Sequence, residues 1–253
     1  NEFPTPEPHT GGLGGLAAHR DSVFFLGQGR YPILYQLDTH TGDILEQYFM
    51  WIGSGYYTDA TMLGDELYLL DHRRRQVHVM DPFAPRYIRS LSLGSMHNIS
   101  IGGGIAALSG PSQLYVADAF NTESIYEIYP ATGALTGTLP PIGNRPTALA
   151  GLGSQLFVAD FRTQTMEVRD RHGTPIDELP LEAPTGALAA FAARDPFADF
   201  DSDGDVDLLD VMAFQNCFQL DGGVIACPLA DSNGDTVVDL VDANRLATST
   251  TGP

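Results

Sequence analysis

The sequence contains no lysine; all thirteen of its basic residues are arginine. Schiff-base catalysis and a phosphate-cradling P-loop both need a lysine amine, so both are excluded. Bases of any kind are scarce, 13 against 32 Asp and Glu in 253 residues, for a formal charge of −19. A surface this acidic repels polyanions, so neither nucleic acid nor an anionic membrane is expected as a partner. No run approaches the ~18 apolar residues that span a bilayer, and no membrane insertion is expected. Cysteine is limited to Cys217 and Cys227. Their proximity reads either as a short-loop disulfide formed in an oxidising compartment or as two free buried thiols. HExxH, CxxC and GxSxG motifs are missing, and the glycines of "GGLGGLA" lack the strand-to-helix setting of a dinucleotide site. No nucleophile with a nameable base is found, so no catalytic residue is assigned. A chain that begins at Asn1 rather than Met reads as processed or as a fragment.

What the sequence does contain is repetition. The segments "SVFFLG", "ELYLLD", "QLYVAD" and "QLFVAD", anchored at Val23, Leu67, Leu114 and Leu156, lie 44, 47 and 42 residues apart. Each is followed by a second alternating segment ("ILYQLD", "VHVMD", "IYEIY", "MEVRD"), a turn and a third short strand. Each is preceded by a strand of small residues, "GGLGGLAAH", "TDATMLG", "GGGIAALSG" and "PTALAGLG", which permit close approach of neighbouring sheets around an axis. Four strands per repeat of 40 to 50 residues resembles the NHL/YVTN-like β-propellers. The resemblance implies a mainly β fold, a small propeller of about four blades over residues 11–194, after an N-terminal segment of residues 1–10. "APTGALAAFAAR" (residues 183–194) echoes the opening strand of a further blade. It either closes the ring against blade 1 or leaves an edge open to another molecule.

The last fifth of the chain is different. From Asp199 the spacing D-x-D-x-D-G-x-x-D-x-x-D fits a twelve-residue calcium loop with side-chain oxygens at Asp199, Asp201, Asp203, Asp207 and Asp210, and Asp205 at the backbone-carbonyl position. A second loop repeats the offsets with Asp231, Asn233, Asp235, Asp239 and Asp242, and with Val237 at the carbonyl position. Thr236 stands where the first loop has Gly204, and a β-branched residue at a sharp turn costs roughly 1 kcal/mol or more. The second site is therefore expected to be weaker. Each loop leads into a run with helical spacing, "LLDVMAFQNCFQ" and "LVDANRLAT". Two loops, each followed by a helix, resemble the dockerin type I modules of secreted bacterial proteins. That resemblance implies an α-helical module over residues 195–253 with two EF-hand-like sites and calcium as the cofactor. Family members often recognise a cohesin partner through residues just before the twelfth ligand. Here those are Leu208 with Leu209 and Leu240 with Val241, apolar where small hydroxyl pairs are common. Cys217 and Cys227 would staple the first helix to the approach of the second loop, contributing roughly 2 to 3 kcal/mol.

Other features carry milder readings. Arg73, Arg74 and Arg75 in "DHRRRQVH" form either a solvated hairpin or a docking point for an acidic surface. Tyr48, Phe49, Trp51, Tyr56 and Tyr57 fit packing between blades better than stacking on sugar. Asp71, Asp118 and Asp160 recur at one strand end, which favours turn capping over catalysis. Asn98 heads a glycosylation sequon, and the Thr/Pro-rich ends are candidates for O-linked sugar. Together these features point to a secreted or cell-surface, non-catalytic binding and assembly protein. Its calcium-loaded module would dock on a protein partner or on a neighbouring copy, in a polymer or surface structure. The alternative is a secreted propeller enzyme or glycan-binding protein displayed through a dockerin–cohesin-type contact.

Overall fold

The computed structural model describes residues 13–19, 22–27, 32–39, 41–50, 57–93, 103–108, 113–119, 122–139, 145–160, 162–181, 214, 215, 217 and 238–243. The backbone divides into two compact units, Asn1–Phe191 and Ala192–Pro253.

In the first unit each sequence repeat becomes one antiparallel sheet. Blade 1 is β1 (Leu13–His19), β2 (Ser22–Gly27), β3 (Ile33–Asp38) and β4 (Ile44–Phe49). Blade 2 is β5 (Tyr57–Leu63), β6 (Glu66–Asp71), β7 (Gln76–Asp81) and β8 (Arg86–Ser92). Blade 3 is β9 (Ile105–Leu108), β10 (Gln113–Ala117), β11 (Ile125–Ile128) and β12 (Leu135–Leu139). Blade 4 is β13 (Pro146–Leu152), β14 (Gln155–Asp160), β15 (Thr165–Asp170) and β16 (Pro175–Pro180). Each is a four-stranded meander in chain order, and the unit is a four-bladed β-propeller. The segment 183–194 lies outside the described residues.

The second strand of each blade reads as a nearly unbroken apolar run because both of its faces are covered. In β6, Leu67 and Leu69 cluster with Phe24, Leu26 and Leu34 of blade 1. Tyr68 and Leu70, on the opposite face, cluster with Ile105, Leu114 and Val116 of blade 3. The two-residue period repeats one blade on: Leu114 and Val116 face blade 2, whereas Tyr115 and Ala117 join Leu149, Leu156 and Val158 of blade 4. Each large side chain buried this way stabilises the fold by about 1.5–3 kcal/mol. The fourth strands are the rim, and every residue of β16 is exposed. On that rim Arg89 donates to Glu66 through both Nη atoms at 2.7 Å, joining β8 to β6.

At the other radius, β5 packs beside β1 and β9, and β9 beside β13. Their small residues are required by how closely the backbones approach. A Cβ at Gly15 would sit 2.6 Å from Ala60 N, one at Gly104 would strike Leu149 N, and one at Gly151 would overlap Ala107 O. In the second unit, helical turns are described at residues 214, 215 and 217 and at 240–243. No helix among the described residues is long and apolar enough to cross a membrane.

Because the obstacle at Gly151 is backbone, it cannot be relieved by a side-chain rotation. Gly151→Ala is expected to lower the unfolding free energy by about 1–3 kcal/mol. Urea denaturation followed by tyrosine fluorescence measures it, and a midpoint equal to wild type would contradict the close-approach account.

Candidate functional site at the propeller axis

The innermost strands carry one charged side chain within this tightly packed region, Asp59 in "YTDATML" of β5. It is wholly buried. Its Oδ1 accepts the Ala60 N–H at 2.9 Å and its Oδ2 accepts the Ile105 N–H at 3.0 Å. The backbone N–H groups of Leu16 and Leu149 donate to the same carboxylate. These four donors come from β1, β5, β9 and β13, one from each blade. A carboxylate offers about four lone-pair sites, so the group is saturated by the strands it joins. Burial pushes the Asp59 carboxyl well above its usual value of 3.8, against the opposing pull of the Ile105, Ala60, Leu16 and Leu149 amides. A second tie runs from β9 to β5, where the Ala107 N–H donates to Thr61 Oγ1 at 3.1 Å.

Beside this clasp lies a cavity of about 170 Å³, to which every blade contributes through Leu16–Ala18, Ala60–Gly64, Ala107 and Ala150–Gly153. Its lining is aliphatic side chains, Thr61 and backbone. Sequence reasoning passed over Asp59, although the signal was visible: an acid interrupting a strand of otherwise small or apolar residues.

The repeated aspartates at the ends of the second strands do cap turns. Asp71 Oδ1 accepts the Arg74 N–H at 3.0 Å, Asp118 Oδ2 the Thr122 N–H at 3.1 Å, and Asp160 Oδ1 the Arg162 and Thr163 N–H groups at 2.7 and 2.9 Å. In blade 2 the cap extends into a chain. His78 Nε2 lies 3.2 Å from Asp71 Oδ2, His78 Nδ1 lies 2.7 Å from Ser90 Oγ, and Ser90 Oγ lies 2.9 Å from the Tyr87 hydroxyl. A carboxylate only accepts, so Nε2 carries the hydrogen that points at Asp71. Asp71 is wholly buried and His78 is 2% exposed, so this chain cross-braces β6, β7 and β8 from inside the blade. Tyr57 packs its ring edge-on against His78 at 6.1 Å.

Of the sequence-predicted calcium ligands, Asp239 and Asp242 are described. Asp199, Asp201, Asp203, Asp205, Asp207, Asp210, Asp231, Asn233, Asp235 and Val237 lie outside the described residues, as do Asn98, Cys227, Trp51 and Tyr56. Asp239 and Asp242 are brought together. The Asp239 N–H donates to Asp242 Oδ2 at 2.9 Å, and Asp239 Oδ1 accepts the Val241 N–H at 2.7 Å. This reciprocal arrangement is a capping box that starts the helical turn. It holds Asp242 wholly buried beside Val238, while Leu240 and Val241 stand 76% and 58% exposed.

No protein-family model matches the chain, and no curated protein sequence matches it. Among solved structures, a glutaminyl cyclase of Myxococcus xanthus is similar over 72% of this chain and 82% of its own, with a TM-score of 0.54 and 13% identity. A streptogramin B lyase is similar over 75% of this chain and 62% of its own, with a TM-score of 0.48 and 17% identity. The likeness to the glutaminyl cyclase is one of fold alone, and it agrees with the four sheets described above.

Two outcomes follow from Asp59. Asp59→Ala strips the acceptor from four buried amides, each costing about 1–3 kcal/mol if left unpaired, so a loss of at least about 3 kcal/mol is expected by urea denaturation. The pH profile gives a second check. With a folded pKa above the unfolded one, the native state binds the extra proton between the two values, and the stability so gained is complete below 3.8 and lost as pH rises through the folded value. Relative to Asp59→Asn, which does not titrate, the wild type should therefore weaken as pH rises from about 4 and then level off.

Proposed function

We propose that this chain is an extracellular, non-catalytic binding and assembly protein, in which a propeller carries a C-terminal, dockerin-like calcium module. The observation that carries the reading is the exposed Leu240–Val241 pair on a capped turn whose Asp242 is turned wholly inward. An apolar pair presented beside an acidic loop fits contact with a protein better than contact with solvent.

The donor set suits calcium. Aspartate and asparagine oxygens at these offsets are hard ligands, and calcium takes six to eight of them. Asp199, Asp201, Asp203, Asp207 and Asp210, with the Asp205 carbonyl, would hold one ion. Asp231, Asn233, Asp235, Asp239 and Asp242, with the Val237 carbonyl, would hold the second. The bound ion supplies positive charge that offsets the repulsion between these carboxylates, and so couples binding to folding of the module. The chain's own part is to start the helix at Asp239 and to turn Leu240 and Val241 outward. A Cys217–Cys227 disulfide belongs to the same reading, on the closeness of the chain's two cysteines in sequence. Such a bond fits an oxidising, extracytoplasmic setting. The saturated Asp59 carboxylate supports a scaffold role for the propeller axis.

Size-exclusion chromatography with light scattering, in calcium and in EDTA, tests the reading. Calcium is expected to drive concentration-dependent association or capture of a partner, and EDTA to reverse it. The double substitution Leu240→Ser, Val241→Ser should weaken association at least tenfold while leaving the calcium isotherm unchanged. A wild-type chain that binds no calcium in a calorimetric titration would overturn the module.

A further inference from the structure

In a chain of charge −19, the arginines are not spread evenly. Arg73, Arg74 and Arg75 occupy the β6–β7 turn, Arg162 the β14–β15 turn, and Arg145 the approach to β13. The turns between second and third strands share one end of the propeller, since every blade is the same meander around one axis. Contacts between blades bear this out. Arg162 Nη1 lies 3.6 Å from Glu123 Oε1 across the turns of blades 4 and 3, and Arg145 Nε donates to Ala119 O at 3.3 Å.

The acids on these turns are not offered to solvent. Asp71, Asp118 and Asp160 are buried, each with one side-chain oxygen on a turn amide, and Glu123 faces Arg162. Residues 72–75 are all exposed. No ion pair is found for the Arg74 or Arg75 guanidinium among the described residues. The turn is also pre-shaped. Asp71 fixes the Arg74 N–H, Arg75 holds φ at 52°, and the Leu93 N–H donates to Arg75 O at 3.0 Å. Glu123 and Gln164, at the matching places in blades 3 and 4, both have φ of 54°. The backbone that presents these guanidinium groups is therefore ordered before any partner arrives, which lowers the entropy lost on binding.

The complementary surface is in the same sequence. Residues 199–253 hold eleven Asp and one base, Arg245, a net of 1 − 11 = −10. Two divalent ions would leave about −6. We propose that the Arg73–Arg74–Arg75 turn is the receptor for the acidic C-terminal region of a second copy, so that copies associate head to tail. This deepens the assembly reading above and rests on it. Two different surfaces meet in such a contact, so it does not close on itself as a two-fold dimer does, and it propagates into rings or open filaments. Exposed ion pairs are individually weak, because solvent screens them. Several must act together, and guanidinium groups that pair with carboxylates in a fork suit that better than ammonium groups.

The test is sedimentation velocity of the full chain in calcium, comparing wild type, Arg74→Glu with Arg75→Glu, and Arg86→Glu at the first residue of β8, at the opposite end. The two side chains changed in the double variant make no capping contact, so its melting temperature should match wild type. Its self-association is expected to weaken at least tenfold, Arg86→Glu is expected to associate as wild type, and raising NaCl from 50 to 500 mM should weaken wild type in the same direction, because screening shortens to a few ångströms. Undiminished association of the double variant would overturn this docking while leaving calcium-driven assembly standing. A wild type that is monomeric at every concentration would overturn the assembly reading, and this docking with it.

Discussion

The convergence of four backbones on one carboxylate is the constraint from which the rest of the propeller follows. For Asp59 to accept an amide from Leu16, Ala60, Ile105 and Leu149, the four innermost strands must come within hydrogen-bond reach of a single side chain. That reach leaves no room for a Cβ at Gly104 or Gly151. The small residues and the aspartate are two halves of one arrangement, since bulkier neighbours would hold the amides away and leave a buried charge without donors. A charge in that state is among the costliest features a core can contain.

Outward from the axis the governing interaction changes. The second and third strands are joined between blades chiefly by apolar packing, their alternating faces filled by leucine, valine and tyrosine from both neighbours, with the Tyr115 hydroxyl donating to Arg171 O at 3.1 Å between blades 3 and 4. Polar chemistry returns where strands end. There Asp71, Asp118 and Asp160 occupy the same place in successive blades, and each satisfies turn amides that would otherwise compete for water. Blade 2 adds the Asp71–His78–Ser90–Tyr87 chain, which braces three strands of one sheet. Its histidine and aspartate are buried inside the blade.

Most of this fold was legible in the sequence because a blade is a local object. The strand β6 is "ELYLLD" and β14 is "QLFVAD", each with boundaries equal to the quoted repeat, and the capping role of their terminal aspartates followed from recurrence. The axial clasp was not legible. Asp59 and Ile105 are 46 residues apart, and nothing local to "TDAT" says that an amide from every blade will arrive there. That outcome depends on ring geometry, which no single repeat encodes. The blade 2 brace escaped for a related reason: His78 and Ser90 are cross-strand neighbours by register, whereas along the chain they are unremarkable. For the tail, spacing led to ligand assignments, of which Asp239 and Asp242 fall on the described capped turn.

Carboxylates in this chain are thus used in two ways. In the propeller Asp59, Asp71, Asp118 and Asp160 are turned inward onto amides, and Glu66 and Glu123 face Arg89 and Arg162. The charge of these six groups is met locally, whereas rim acids such as Asp177 and Glu178 stay exposed. In residues 199–253 there is one base for eleven acids, so no such internal matching is available and the charge must be met by something added. A cation meets part of it, at the price of ordering the loops. What remains is a net negative surface joined to a propeller whose exposed β6–β7 turn is built from three consecutive arginines. Excess acid in one part of the chain and presented base in another are chemically complementary. An ordered, solvent-facing turn can meet that excess without disturbing the amides and glycines on which the axis depends.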